Sequence, residues 1–152
     1  MNKIFEEIKL DKIKEIEINK FNYIFFLYIN EILNKKNIKK NFFTHLMSKG
    51  VKIFFIKQNN FIVGFFTLYL NKFTKISSNN IYLRDFYIKK KYRKKKLGSQ
   101  VIEKITKIYK KKQFFSIKIE ILKSNSRIKN FWERLQFKKN KSIYIKKIND
   151  RN

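Results

Sequence analysis

From Phe21 onward, Ile24, Phe25, Tyr28, Ile29, Ile32 and Leu33 recur every three or four residues. This spacing lays one apolar stripe along a helix and predicts an amphipathic element there. A shorter helix is predicted from Phe42, Phe43, Leu46 and Met47, with Asn41 placed to cap it and Gly50 to end it in a left-handed turn. The single histidine, His45, falls on this helix. The period then changes. Residues 51–57 and 61–70 are rich in aromatic and β-branched side chains, and Gln58, Asn59 and Asn60 between them suit a tight antiparallel hairpin, because asparagine tolerates left-handed backbone. After a polar stretch over 71–80, residues 81–88 predict a third strand that runs straight into a basic segment.

Beyond Gly98 helical spacing returns with Val101, Ile102, Ile105, Ile108 and Tyr109, and residues 114–122 revert to alternation, with Ile117, Ile119 and Ile121 facing one way. A last helix carries Ile128, Phe131, Trp132 and Leu135, capped by Ser124 or Asn125, and residues 142–148 predict a terminal strand. Near the N-terminus, residues 15–19 alternate like a short strand, while residues 4–13 suit an extension of either kind. The order that results is β-α-α-β-β-β-α-β-α-β. No internal repeat, Gly/Ser linker or heptad run interrupts it, so the pattern predicts one mixed α/β unit.

Composition narrows the chemistry. A chain of 152 residues with 43% hydrophobic residues, 17 of them Phe, has material for one core and not for two. Its lack of cysteine excludes a disulfide framework, a thiolate zinc site and a cysteine nucleophile, and one histidine leaves too few ligands for most nitrogen-based metal sites. The longest apolar run, residues 23–29, falls well short of the ~18 residues that suggest a membrane span, and the N-terminus alternates charge where a signal peptide would have an apolar core. A cytoplasmic protein without a membrane partner is the expectation.

Lys and Arg total 38 against 11 Asp and Glu, a net charge of +27. Such a balance points to nucleic acid, the ribosome or another anionic partner. Lys, Ile, Asn, Phe and Tyr also dominate the composition, as they do when codons drift toward A and T, and scarce glutamate keeps that drift from explaining the whole excess. The charge is spread along the chain, with concentrations over residues 35–40, 89–96, 110–112 and 138–141, as a solvated lysine surface would be.

Between a predicted strand and a predicted helix lie Tyr92, Arg93, Lys94, Lys95, Lys96, Leu97, Gly98 and Ser99. Backbone N–H groups and a helix N-terminus at such a place suit a phosphate, with pyrophosphate the natural guest, and a solvated basic turn before a helix is the other reading of the loop taken alone. The loop is followed by Ile119-Glu120-Ile121-Leu122-Lys123-Ser124-Asn125 and then by Phe131-Trp132-Glu133-Arg134-Leu135-Gln136-Phe137. Together these segments resemble the GNAT acetyltransferase superfamily. The phosphate loop of that family runs Arg or Gln, two variable residues, Gly, one variable residue, Gly, and falls on Arg93 to Gly98 with Lys96 in place of the first glycine. Its second motif, Asn, six residues, Tyr, three residues, Gly-Phe, falls on Asn125, Trp132, Gln136 and Phe137. Lys96 and Gln136 thus replace glycines, and Trp132 replaces the tyrosine.

The resemblance is strongest over 51–148 and implies a single GNAT-like α/β domain over 1–152. Its central, mostly antiparallel sheet would splay between the fourth and fifth strands, with helices on its flanks. It implies acetyl-CoA as co-substrate, with the pantetheine arm against backbone at Phe86, Tyr87 and Ile88. The pyrophosphate would lie on Arg93, Lys94, Lys95, Lys96, Leu97, Gly98 and Ser99, whose basic side chains add charge-assisted contacts. Asn125 would cap its helix and touch the cofactor. Glu120 matches the base of the ribosomal-protein N-terminal acetyltransferases of the superfamily; a solvated or lysine-paired carboxylate is its other reading. Trp132 takes the position of a general acid, yet an indole only donates a hydrogen bond, which leaves orientation or core packing as its part.

Arg84 and Asp85 sit mid-strand, where they either pair structurally, line an acceptor cleft or lie on an exposed face. His45 belongs to surface or helix packing, near where this family binds its acceptor. The expected activity is direct transfer of acetyl from acetyl-CoA to a primary amine of a small molecule or protein in a ternary complex, by a monomer or homodimer. The alternative is a catalytically decayed GNAT-like fold that binds RNA or the ribosome through its basic faces.

Overall fold

A short strand, β1 (Phe5–Glu7), precedes a helix of 19 residues, α1 (Glu15–Leu33), in the computed structural model, which describes residues 4–9, 12–33, 42–71, 79–121, 126–140 and 143–149. The alternation over 15–19, which reads as a strand, is the first turn of α1 instead. Glu17 reaches back to accept from the Lys14 N–H at 3.2 Å, half of a capping box. The helical frame set by Phe21 extends backward so that Ile18 packs on the core, while Ile16, its partner in the apparent alternation, is 59% exposed.

α2 (Phe42–Ser48) takes its first-turn support from α1, where Asn22 Oδ1 accepts from the Phe43 N–H at 3.2 Å. It ends as the sequence predicts: Gly50 has φ +67°, its N–H reaches the Met47 carbonyl, and Val51 N–H reaches that of Leu46. This bond pair is a Schellman stop, which glycine enters without a Cβ penalty. Asn41 lies outside the described residues. β2 (Lys52–Gln58) and β3 (Phe61–Asn71) are joined by Asn59 and Asn60 at φ 49° and 66°, the two left-handed residues of a type I′ hairpin.

β4 (Asn80–Ile88) is followed by a 3-10 turn at Lys90–Tyr92, then α3 (Leu97–Lys111) and β5 (Ser116–Glu120). α4 (Ser126–Arg134), β6 (Lys138–Asn140) and β7 (Ile143–Lys147) complete the described elements. β6 has no counterpart in the hydrophobic pattern. All three of its residues are polar and exposed, so only its pairing with β7, Lys138 opposite Ile145 through Asn140 opposite Ile143, marks it. Lysines on an outermost strand also discourage pairing with a second molecule.

The strand order is β1-β2-β3-β4-β5-β7-β6. β1–β2, β5–β7 and β6–β7 are antiparallel and β4–β5 is parallel, so the sheet is mixed. A parallel pair needs a crossover, and α3 supplies it. Pairing of β4 with β5 covers Asn80 opposite Ser116 through Leu83 opposite Ile119, and β4 then continues to Ile88.

The chain divides into two compact units, and β3 and β4 each run through both. In the first, Met1–Thr67 with Asp85–Lys94, one core joins Phe21, Ile24, Phe25 and Tyr28 of α1 to Phe43 and Leu46 of α2 and to Ile53, Phe55, Phe65 and Tyr87 of the strands. The opposite faces of those strands carry a row of rings. Phe54 and Phe66 stack at 4.6 Å, and Phe5 meets both edge-on. In the second, Leu68–Arg84 with Lys95–Asn152, Val101, Ile102, Ile105 and Tyr109 of α3 are buried, as are Phe114, Ile117, Trp132, Phe137 and Tyr144. The helical spacing after Gly98 predicts this face of α3 correctly.

Candidate active site

The far end of β4 is held by a close backbone approach. A Cβ placed on Gly64 would stand 2.2 Å from the Tyr87 carbonyl oxygen, so β3 comes nearer to β4 there than any side chain allows. The Lys89 N–H donates to the Val63 carbonyl at 2.9 Å and the Lys89 ammonium to the Ile62 carbonyl at 3.2 Å. Desolvation lowers the Lys89 pKa. Since the Tyr87 carbonyl faces β3, strand alternation turns the backbone polar groups of Phe86 and Ile88 toward the opposite edge of β4. The Tyr87 and Ile88 side chains are buried, and Phe86 is half-buried against Phe66.

Next along the chain, Arg93 is turned into the fold. Its Nε–H donates to the Ile88 carbonyl at 2.6 Å, and its two terminal nitrogens donate to the two carboxylate oxygens of Glu31 at 2.6 and 2.9 Å. The guanidinium also lies over the Tyr87 ring, 5.2 Å from its centroid. The Arg93 hydrogen bonds hold the Glu31 carboxyl below the usual glutamate range against desolvation, helped by charge and by the Tyr87 hydroxyl. Desolvation, then the Glu31 charge, raises the Tyr87 phenol.

After Arg93 the loop takes two left-handed residues, Lys94 at φ +63° and Lys96 at φ +59°, and Lys96 is the residue from which α3 starts. Lys94, Lys95 and Lys96 are exposed, Leu97 is buried, and Gly98 and Ser99 are half-buried. Leu97, Gly98 and Ser99 supply the first N–H groups of α3, which have no acceptor within the helix. No side chain caps them and the first turn carries no acidic residue. Lys96 therefore reproduces, with a side chain, the backbone conformation that a glycine would take.

In the second unit, Glu120 ends β5, opposite Ile143 of β7, and is exposed, while Ile119 before it is buried. Asn125 lies outside the described residues. Trp132 on α4 is 4% exposed and packs edge-on against Phe131 and Phe137. α4 then stops as α2 does: the Gln136 N–H reaches the Glu133 carbonyl, the Phe137 N–H reaches that of Trp132, and Gln136 has φ +66°. The Trp132–Phe137 contact is the apolar pair that accompanies such a stop.

Asp85 accepts from the Tyr28 hydroxyl at 3.0 Å and from the Thr67 hydroxyl at 2.5 Å, so it pairs structurally, whereas Arg84 is exposed. His45 lies on α2. An open depression on α4 lined by Arg127, Asn130, Glu133 and Arg134 includes none of the residues singled out from the sequence. Among the described residues, no three His, Cys, Asp or Glu are grouped to hold a metal, and no helix is long and apolar enough to cross a membrane. Sequence reasoning missed Glu31. Its one signal is a carboxylate in the last turn of α1, where the helix dipole disfavours it and no basic residue is present.

Residues 12–137 match the sequence profile of the Acetyltransferase (GNAT) family. The chain belongs to the GNAT acetyltransferase family. The match begins at the residues leading into α1, well before the motif-bearing stretch. No curated protein sequence matches significantly. Solved GNAT structures share the fold. A possible acetyltransferase from Clostridium difficile 630 is 15% identical with a TM-score of 0.68, covering 90% of each chain. An aminoglycoside acetyltransferase from an uncultured soil metagenomic sample, in complex with sisomicin, is 18% identical with a TM-score of 0.66, covering 87% of this chain and 86% of its own. A GNAT family acetyltransferase from Elizabethkingia anophelis with acetyl-CoA bound is 13% identical with a TM-score of 0.55, covering 88% of this chain and 74% of its own. At these identities the likeness is one of fold.

Proposed function

We propose that this GNAT protein transfers acetyl from acetyl-CoA directly to a primary amine. The carrying observation is the start of α3, where uncapped N–H groups of Leu97, Gly98 and Ser99 follow a left-handed turn at Lys96 beside three exposed lysines. Helix-terminal donors and cations of this kind fit a pyrophosphate. The backbone of Phe86 and Ile88, on the edge of β4 away from β3, would align the pantetheine arm. Acetyl-CoA itself supplies the activated acyl group, a thioester.

Glu120 is the proposed base. It would take the proton that the acceptor nitrogen loses as the C–N bond forms and the C–S bond breaks, and water would protonate the departing thiolate. Trp132 keeps its indole N–H proton at neutral pH and would hold the end of α4 in place. Asn125 would contact the cofactor. The acceptor follows from charge: a protein of net charge +27 repels free polyamines and attracts an amine carried by an anionic molecule or assembly. An aminoglycoside such as the sisomicin bound by one structural neighbour is the contrasting, cationic case.

The test is thiol release from acetyl-CoA with a panel of anionic, neutral and cationic primary amines, for the wild type and Glu120→Gln. Turnover should fall by about 10²–10⁴ in the variant, with acetyl-CoA affinity within twofold. Equal turnover in the variant removes Glu120 from the role.

A further inference from the structure

The residue that opens the phosphate loop, Arg93, turns its half-buried guanidinium back onto the protein. Its Nε–H is committed to the Ile88 carbonyl at 2.6 Å and its terminal nitrogens to both oxygens of Glu31 at 2.6 and 2.9 Å, a two-pronged pair of the kind only a guanidinium makes. Glu31 stands in the last turn of α1, where a carboxylate opposes the helix dipole and which itself holds no basic residue. A locally unfavourable residue in such a place needs a tertiary reason, and Arg93 supplies it. The Tyr87 ring lies beneath the guanidinium, with its centroid 5.2 Å away. One side-chain cluster thus ties the end of α1, the end of β4 and the start of the loop together.

We propose that Glu31 is a positioning residue for acetyl-CoA: acting through Arg93, it latches the phosphate loop to α1 and fixes the left-handed turns from which the α3 donors are presented. The proposal rests on the acetyl-CoA reading above. In this role Glu31 acts through Arg93, without contact to the substrate. Without the latch, the loop has its lysines and helix start but several backbone arrangements, so the bound geometry is populated less often and apparent affinity falls by that fraction.

The experiment compares wild type, Glu31→Gln, Arg93→Lys and the exchanged pair Glu31→Arg with Arg93→Glu. It measures acetyl-CoA KM and kcat, and amide hydrogen exchange over residues 93–99 without ligand. Glu31→Gln should raise KM about tenfold, leave kcat within twofold and speed exchange in the loop, a split that general destabilisation does not produce. Arg93→Lys should behave like Glu31→Gln, because a single ammonium nitrogen lacks the planar fork that pairs both Glu31 oxygens while Nε reaches the Ile88 carbonyl, and the exchanged pair should recover part of the affinity. Unchanged KM and unchanged loop exchange in Glu31→Gln overturn the proposal, as does a fall in kcat with KM unaltered. Should the wild type fail to bind acetyl-CoA, the functional reading fails, and loop exchange in Glu31→Gln still decides whether the latch exists.

Discussion

The backbone of Gly64 meets the carbonyl of Tyr87 so closely that a methyl group on Gly64 would sit 2.2 Å from that oxygen and 3.1 Å from the Ile88 Cα. Both neighbours are backbone of β4, and neither can swing aside as a side chain would. Gly64→Ala should therefore destabilise the protein by about 2–4 kcal/mol and, in whatever folded fraction remains, displace the Tyr87–Ile88 segment. Gly50, at φ +67° with open space around it, should tolerate alanine at about 1 kcal/mol. Urea unfolding of the two variants checks the order; equal losses would contradict the close approach.

Lys96 and Gln136, which stand where the resemblance places glycines, hold left-handed backbone, at φ +59° and +66°. A side chain in that region costs about 1–2 kcal/mol, partly offset by the greater freedom glycine gives the unfolded chain. Lys96→Gly and Gln136→Gly should each raise stability by about 0.5–1 kcal/mol at unchanged denaturant slope. Lys95→Gly, at a residue outside that region, should move the midpoint the other way.

Trp132 is buried and packed between Phe131 and Phe137. Truncation to alanine should cost about 3–5 kcal/mol. Trp132→Phe, which keeps an aromatic ring but no N–H, should leave turnover within threefold. A hundredfold loss in that variant at retained stability would give the indole a chemical part.

Because the Arg93 hydrogen bonds lower the Glu31 pKa, folded Glu31 gives up its proton more readily than the unfolded chain does. The stability it contributes is therefore present above the ordinary glutamate range and is lost as pH falls through the lowered folded value. The latch should persist from neutral pH down through the ordinary glutamate range and open only below it. Acid-unfolding curves of wild type and Glu31→Gln should differ near neutrality and converge in strong acid; a constant offset at all pH would contradict the pairing.

Most of this architecture is legible in the sequence because apolar period and turn chemistry agree: Gly50, Asn59 and Asn60 take the left-handed conformations their residue types suggest. β6 is illegible because three exposed polar residues carry no apolar signal, and the first turn of α1 misleads because Ile16 and Ile18 alternate while helical packing uses only one of them. Of the site, the basic loop and its helix are visible as a linear motif. The Glu31–Arg93 pair joins residues 62 positions apart, and nothing in local pattern brings such a pair together. Asp85 is similar: its partners, Tyr28 and Thr67, come from two other elements.

The central claim is that the loop and the α3 N-terminus receive acetyl-CoA. Isothermal titration of the protein with acetyl-CoA at near-physiological salt, with a short RNA as parallel ligand, tests it most directly. Saturable one-to-one binding of acetyl-CoA, weakened in Glu31→Gln, is the predicted result. RNA binding with a steep salt dependence and no saturable acetyl-CoA affinity would contradict it and leave the family's fold in the service of an anion-binding protein.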